Sequence, residues 1–80
     1  MDKSEIQNRV KNVISEVLKI EPSGIADDAN FIFDLGADSV QSVSLVAAFE
    51  EEFEIEMDED KALDVQNVDS AVNFISGYLK

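Results

Sequence analysis

The chain has 80 residues, with 18 Asp and Glu against 6 Lys and Arg, for a formal charge of −12. It contains no Cys, His or Trp, so disulfides, zinc-finger spacings and any encoded thiol or imidazole are excluded. A chain this short makes one domain; its 45% hydrophobic content argues against a disordered acidic tail, and its charge repels nucleic acid.

The charge is uneven. Residues 1–26 hold four acids and four bases, whereas residues 27–80 hold fourteen acids and only Lys61 and Lys80. Such a surface either keeps a small protein soluble or docks a basic partner. No apolar run approaches a membrane span, and the charged start Met-Asp-Lys-Ser-Glu predicts no secretory signal.

In chain order, Ile6, Val10, Val13, Ile14, Val17 and Leu18 recur at helical spacing. Ser4 and Gln7 fit a capping box at the start of this helix, and Glu21-Pro22-Ser23-Gly24 is read as its end. A long loop over residues 24–37 follows. Ile25, Phe31, Phe33 and Leu35 are expected to pin it to the core, and Gly36 suits a positive φ.

The second helix is predicted from Ser39 to about Phe53, with Asp38 as N-cap and Gln41 completing a capping box. Leu45, Val46, Phe49 and Phe53 form its core face. Val40, Val43 and Ala47 gather roughly opposite, beside Glu50 and Glu51. That second stripe is either ordinary surface valine or an apolar contact patch with an acidic rim. The stretch Glu54–Asp60 reads as a loop into a short helix near Glu59–Asp64. The last helix begins after Asn67 and carries Val68, Ala71, Val72, Ile75 and Leu79 on one face, with Phe74 and Tyr78 alongside. The fold class is all-α, a small antiparallel four-helix bundle of three main helices and one short one.

Enzymatic chemistry finds little support. No His can activate Ser39, and Lys61 is far from it in sequence. Nothing in the spacing of Asp34, Asp38 and Glu50–Glu52 singles out an acid/base pair. Asp58-Glu59-Asp60 lacks the glycine and closing Glu of an EF-hand loop, so no metal site is expected. Ser39 itself falls in the first turn of a helix, where free N–H groups and the helix dipole favour a phosphate. Serine is also simply common near caps.

Asp34-Leu35-Gly36-Ala37-Asp38-Ser39 resembles the D-L-G-x-D-S motif of acyl carrier proteins. Leu45-Val46-Ala47-Ala48-Phe49-Glu50-Glu51-Glu52-Phe53, the long loop and the Asn67-Val68 step are similar to the same family. The resemblance covers essentially the whole chain and implies one acyl carrier domain over residues 1–80. It implies a 4′-phosphopantetheine arm on Ser39, with Asp38 and Gly36 framing the attachment, and no catalysis by the chain itself. The arm's acyl chain would be sheltered by Phe31, Leu45, Val46, Phe49, Ala62, Val65 and Ala71, which ordinary core packing explains equally well. Partners would be a phosphopantetheinyl transferase and acyl-processing enzymes with basic surfaces, docking on Val40, Val43, Ala47, Glu50 and Glu51. A cytoplasmic monomer, with no membrane insertion, is the matching expectation.

The acidic DLGADS type resembles the fatty-acid branch of the family, which implies fatty-acyl rather than aminoacyl cargo, with a polyketide or aminoacyl carrier as the alternative. An acidic docking module without an arm is the remaining alternative. Housekeeping bacterial members usually read D-S-L-D-x-V-E-L-V, whereas this chain has Val40, Gln41 and Ser44 at the variant positions. Asp58 replaces a common proline, and Leu63 stands where a charge is usual. These departures point to a narrower pathway than general fatty-acid synthesis.

Overall fold

The computed structural model describes residues 1–79, and four α-helices carry the fold: α1 (Lys3–Leu18), α2 (Ser39–Phe53), α3 (Glu59–Leu63) and α4 (Val68–Tyr78). α1 packs on both α2 and α4, and α3 packs on α2. Among the described residues there is no strand. An antiparallel bridge joins Asn30 to Asn67.

The apolar spacing of α1 buries Ile6, Val10, Val13 and Ile14, with Val17 and Leu18 half-buried at the margin. Its cap differs from the Ser4–Gln7 expectation. Asp2 is the N-cap, accepting from the Glu5 N–H at 2.9 Å, so Ser4 falls inside the first turn. Asp caps as well as Ser does, and starting there also places Glu5 at the positive end of the helix. The other end differs too. α1 stops at Leu18, before the proline, because Lys19 turns into the left-handed region at φ 57°. The Lys19 and Ile20 N–H groups both return to the Ser15 carbonyl, and the Ser15 hydroxyl donates to the Ile20 carbonyl. These bonds offset the cost of a left-handed lysine and fold Ile20 back against the core. Pro22–Gly24 then form a separate 3₁₀ turn.

The loop to α2 is pinned by Ile25, Ala29, Phe31 and Ala37, all buried, and by half-buried Leu35. Phe33 departs from expectation: it is 87% exposed. Two backbone bonds tie the loop to the far side of the chain. Phe31 N–H donates to the Gln66 carbonyl at 2.9 Å, and Val68 N–H to the Ala29 carbonyl at 3.0 Å. Leu45, Val46, Phe49 and Phe53 fill the core from α2, and Val68, Ala71, Val72 and Ile75 from α4. Arg9 lies over the Phe53 ring at 5.9 Å and pairs with Glu52 at 3.7 Å, joining α1 to the end of α2. No buried polar side chain is left unpaired among the described residues.

Candidate functional site

The approach to α2 is a turn whose backbone groups are largely paired. Asp34 and Leu35 N–H both reach the Asn30 carbonyl, Gly36 N–H reaches Ile32, and Ala37 N–H reaches Phe31 at 2.8 Å. Gly36 has φ 75°, which allows this reversal at little cost. An added Cβ there would meet nothing, so the backbone angle rather than crowding selects glycine.

Asp38 and Gln41 then form the full capping box. Asp38 Oδ1 accepts from Gln41 N–H at 2.8 Å, and Gln41 Oε1 accepts from Asp38 N–H at 3.1 Å. A helix start leaves four N–H groups without intrahelical partners. The box occupies two of them, leaving those of Ser39 and Val40 for solvent or a ligand. Ser39 is exposed and takes no part in the cap, while the neighbouring Ser42 hydroxyl donates to the Asp38 carbonyl. The site therefore offers a free hydroxyl beside two free N–H groups at the positive end of a 15-residue helix. That donor set fits a phosphodiester on the Ser39 oxygen.

Behind this helix start lies a cavity of about 30 Å³ between α2, α3 and α4. All seven residues expected to face an acyl chain line it: Phe31, Leu45, Val46, Phe49, Ala62, Val65 and Ala71. Met57, Leu63, Phe74 and Ile75 complete an apolar wall, with Ser42 the one polar lining residue. Because the Ser42 hydroxyl already bonds the Asp38 carbonyl, the space is chemically suited to aliphatic chain. The floor at α3 is held by polar contacts that periodicity does not reveal. Glu50 Oε2 accepts from Met57 N–H at 2.9 Å, and the Tyr78 hydroxyl accepts from Asp58 N–H at 3.0 Å. The Asp58 side chain caps α3 at Lys61 N–H. Tyr78 also stands edge-on to cavity-lining Phe74, with ring centroids 5.2 Å apart.

The outward stripe of α2 is present, with Val40 74% exposed and Val43, Ala47 and Glu51 also exposed. Glu50, expected on the docking face, also has a second contact that the sequence did not signal. It is half-buried and its carboxylate braces the α2–α3 connection. Elsewhere Asp27 is held below its ordinary carboxylate value by a hydrogen bond from Lys11 and by that lysine's charge. No cluster of three or more potential metal ligands occurs among the described residues, and no helix there is long and apolar enough to cross a membrane.

Residues 8–75 match the family model described as the phosphopantetheine attachment site. The chain is 47% identical over 76 residues to an acyl carrier protein of Guillardia theta, covering 95% of this chain and 94% of that one. It is 48% identical over 73 residues to an acyl carrier protein of Caulobacter vibrioides, covering 91% and 94%. Identity to the mitochondrial acyl carrier protein 2 of Arabidopsis thaliana is 44% over 78 residues, which is 98% of this chain and 62% of that relative.

Proposed function

The chain belongs to the acyl carrier proteins, which carry acyl groups on 4′-phosphopantetheine without catalysing their reactions, and on that premise we propose that Ser39 is the attachment residue. The observation that carries this is the exposed Ser39 hydroxyl at the first position of α2, outside a capping box built by its neighbours. Asp38 fixes where the helix begins, and Gly36 allows the chain to reach that point. The first-turn N–H groups favour the phosphodiester. Once attached, the arm supplies the thiol that this Cys-free chain lacks and holds the acyl group as a thioester. The apolar cavity shelters the chain's first carbons. At about 30 Å³ it has room for little more, so longer cargo requires α3 to yield.

The partner face is the α2 stripe of Val40, Val43, Ala47 and Glu51, with Glu50 bracing it from beneath. Gln41 and Ser44 leave the start of that face without the acids of housekeeping members. The reading that follows is a carrier for a narrower lipid or polyketide pathway, whose enzymes rely less on charge at the first turns of α2. A monomer suits the role, because a carrier must leave one enzyme to reach the next.

One experiment addresses both parts. The protein is incubated with coenzyme A and a phosphopantetheinyl transferase, and the intact mass is read. Wild type gains one arm and Ser39→Ala gains none; a gain that survives the substitution overturns the assignment. The loaded protein is then offered to housekeeping fatty-acid elongation enzymes. Slow elongation beside an ordinary carrier supports the narrower pathway, and an equal rate refutes it.

A further inference from the structure

We propose that the turn bearing Ile32 and Phe33 is a preformed apolar anchor for the enzymes that act at Ser39, seating Phe33 in an apolar pocket rimmed by basic side chains. The proposal rests on the carrier reading above and adds a second contact region to the α2 stripe.

Phe33 is 87% exposed and Ile32 55%, side by side in a chain whose other four phenylalanines are buried or half-buried. This exposure is constructed rather than loose. Asn30 Oδ1 accepts from both Ile32 and Phe33 N–H at 2.9 Å, and Asp34 Oδ2 accepts from Asn30 N–H at 2.7 Å. The carbonyls of Asn30, Ile32 and Phe31 take four further bonds from Asp34 to Ala37. Buried Phe31 and Ala37 clamp the base of the turn to the core. The backbone under Phe33 is therefore ordered before any partner arrives, so the ordering cost of using it as an anchor is low. A large aromatic ring held this way has the character of an interface hot spot.

Its position ties it to Ser39. The Gly36→Ile32 and Ala37→Phe31 bonds fold the turn onto the residues that lead directly into Asp38 and Ser39. On the other side of Ser39 along the chain, Val40 and Val43 are also exposed, on α2.

Charge selects the occupant. No Lys or Arg occurs between residues 20 and 60, and Asp28, Asp34, Asp38 and Glu51 are exposed within that same stretch of chain. A partner that covers Phe33 must meet this acidic setting with basic groups. A second copy of the chain brings another −12, and an anionic lipid surface is likewise repelled.

The test is steady-state loading of Ser39 by a phosphopantetheinyl transferase with saturating coenzyme A and varied carrier. Wild type is compared with Phe33→Ala and Phe33→Leu. Phe33→Ala is expected to raise KM about tenfold with kcat within about twofold, the size of a single hot-spot truncation. Phe33→Leu should recover most of that loss. The ratio should persist when salt raises KM for all three, because the lost contact is apolar. An unchanged melting temperature confirms that the exposed ring is not a folding residue. A Phe33→Ala KM within twofold of wild type overturns the anchor while leaving Ser39 loading intact. Self-association of wild type that Phe33→Ala abolishes also overturns it, in favour of a second copy. If wild type gains no mass at Ser39, the carrier reading falls and the anchor with it.

Discussion

α1 runs sixteen residues and buries Ile6, Val10, Val13 and Ile14 against α2 and α4, whereas α3 runs five residues and buries Ala62. The contacts around them differ in kind. From α1, Arg9 covers Phe53 and pairs with Glu52, Lys11 pairs with Asp27, and Lys3 donates to Asn73 at 2.8 Å. α3 is held by its Asp58 cap and by the Glu50 and Tyr78 bonds to the chain just before it. A five-residue helix cannot sustain itself in water, so its persistence depends on those few bonds and the apolar contacts beneath. Motion in this small carrier therefore concentrates where the helix is shortest. α1 is a spine whose loss is global, and α3 is the floor of the cavity, which can move locally.

The largest effect should come from the spine. Ile14→Ala removes a fully buried side chain and should cost about 2–5 kcal/mol. Against a typical total of about 5–15 kcal/mol for a domain, that is a large share. Urea unfolding is expected to show a lower midpoint with an unchanged slope. A cost below about 1 kcal/mol would mean that α1 is no more essential to the fold than α3.

The floor is sharpened by a smaller change. Tyr78→Phe keeps the ring against Phe74 and removes only the oxygen that accepts from Asp58 N–H. The global cost should be no more than about 1 kcal/mol, because the site is partly exposed and water can replace the bond. The local effect should be clearer. Hydrogen exchange at Asp58, Lys61 and Ala62 should accelerate, while amides of Val10 and Ile14 stay protected. Equal acceleration in both helices would mean that α3 does not open by itself.

The same contrast explains what could be read in the sequence. Helical spacing located the buried residues of α1, α2 and α4, because each face is written locally every three or four residues. The Asp38–Gln41 box and the Asn67 cap were equally legible, being local as well. Four features were not. Ser4 and Asp2 compete for the same cap within two residues, and composition does not rank them. Lys19 and Glu54 close their helices in the left-handed region without the glycine that usually signals it. The Asn30–Asn67 bridge joins residues far apart in sequence. Phe33 looked like another core aromatic because hydrophobicity alone does not reveal a turn that holds a side chain outward. At the site, the motif drew attention to Ser39, and the resemblance rather than periodicity nominated the seven cavity residues. The roles of Glu50 and Tyr78 depend on hydrogen bonds to backbone 7 and 20 residues away, beyond the reach of helical periodicity, and needed the fold.

The smallest effect tests whether the spine's electrostatic reach extends to the loop before Ser39. Lys11 on α1 donates to Asp27, and that bond, followed by the lysine's charge, holds the Asp27 carboxyl below its ordinary value of 3.8. The sign follows from linkage: the folded state favours the ionised carboxylate, so the contribution is present above the unfolded value and disappears as pH falls through the lower, folded one. Asp27 lies in water, so the gain is small and salt-sensitive. A simple pH melt would not isolate it. Lys11→Met, Asp27→Asn and the double variant form a cycle that isolates the pair. Their coupling, read as melting temperatures in low salt, should be positive at pH 7 and should fade in acid below the folded value. Coupling that is unchanged in acid would assign the contact to packing of the lysine stem, leaving α1 a purely apolar spine.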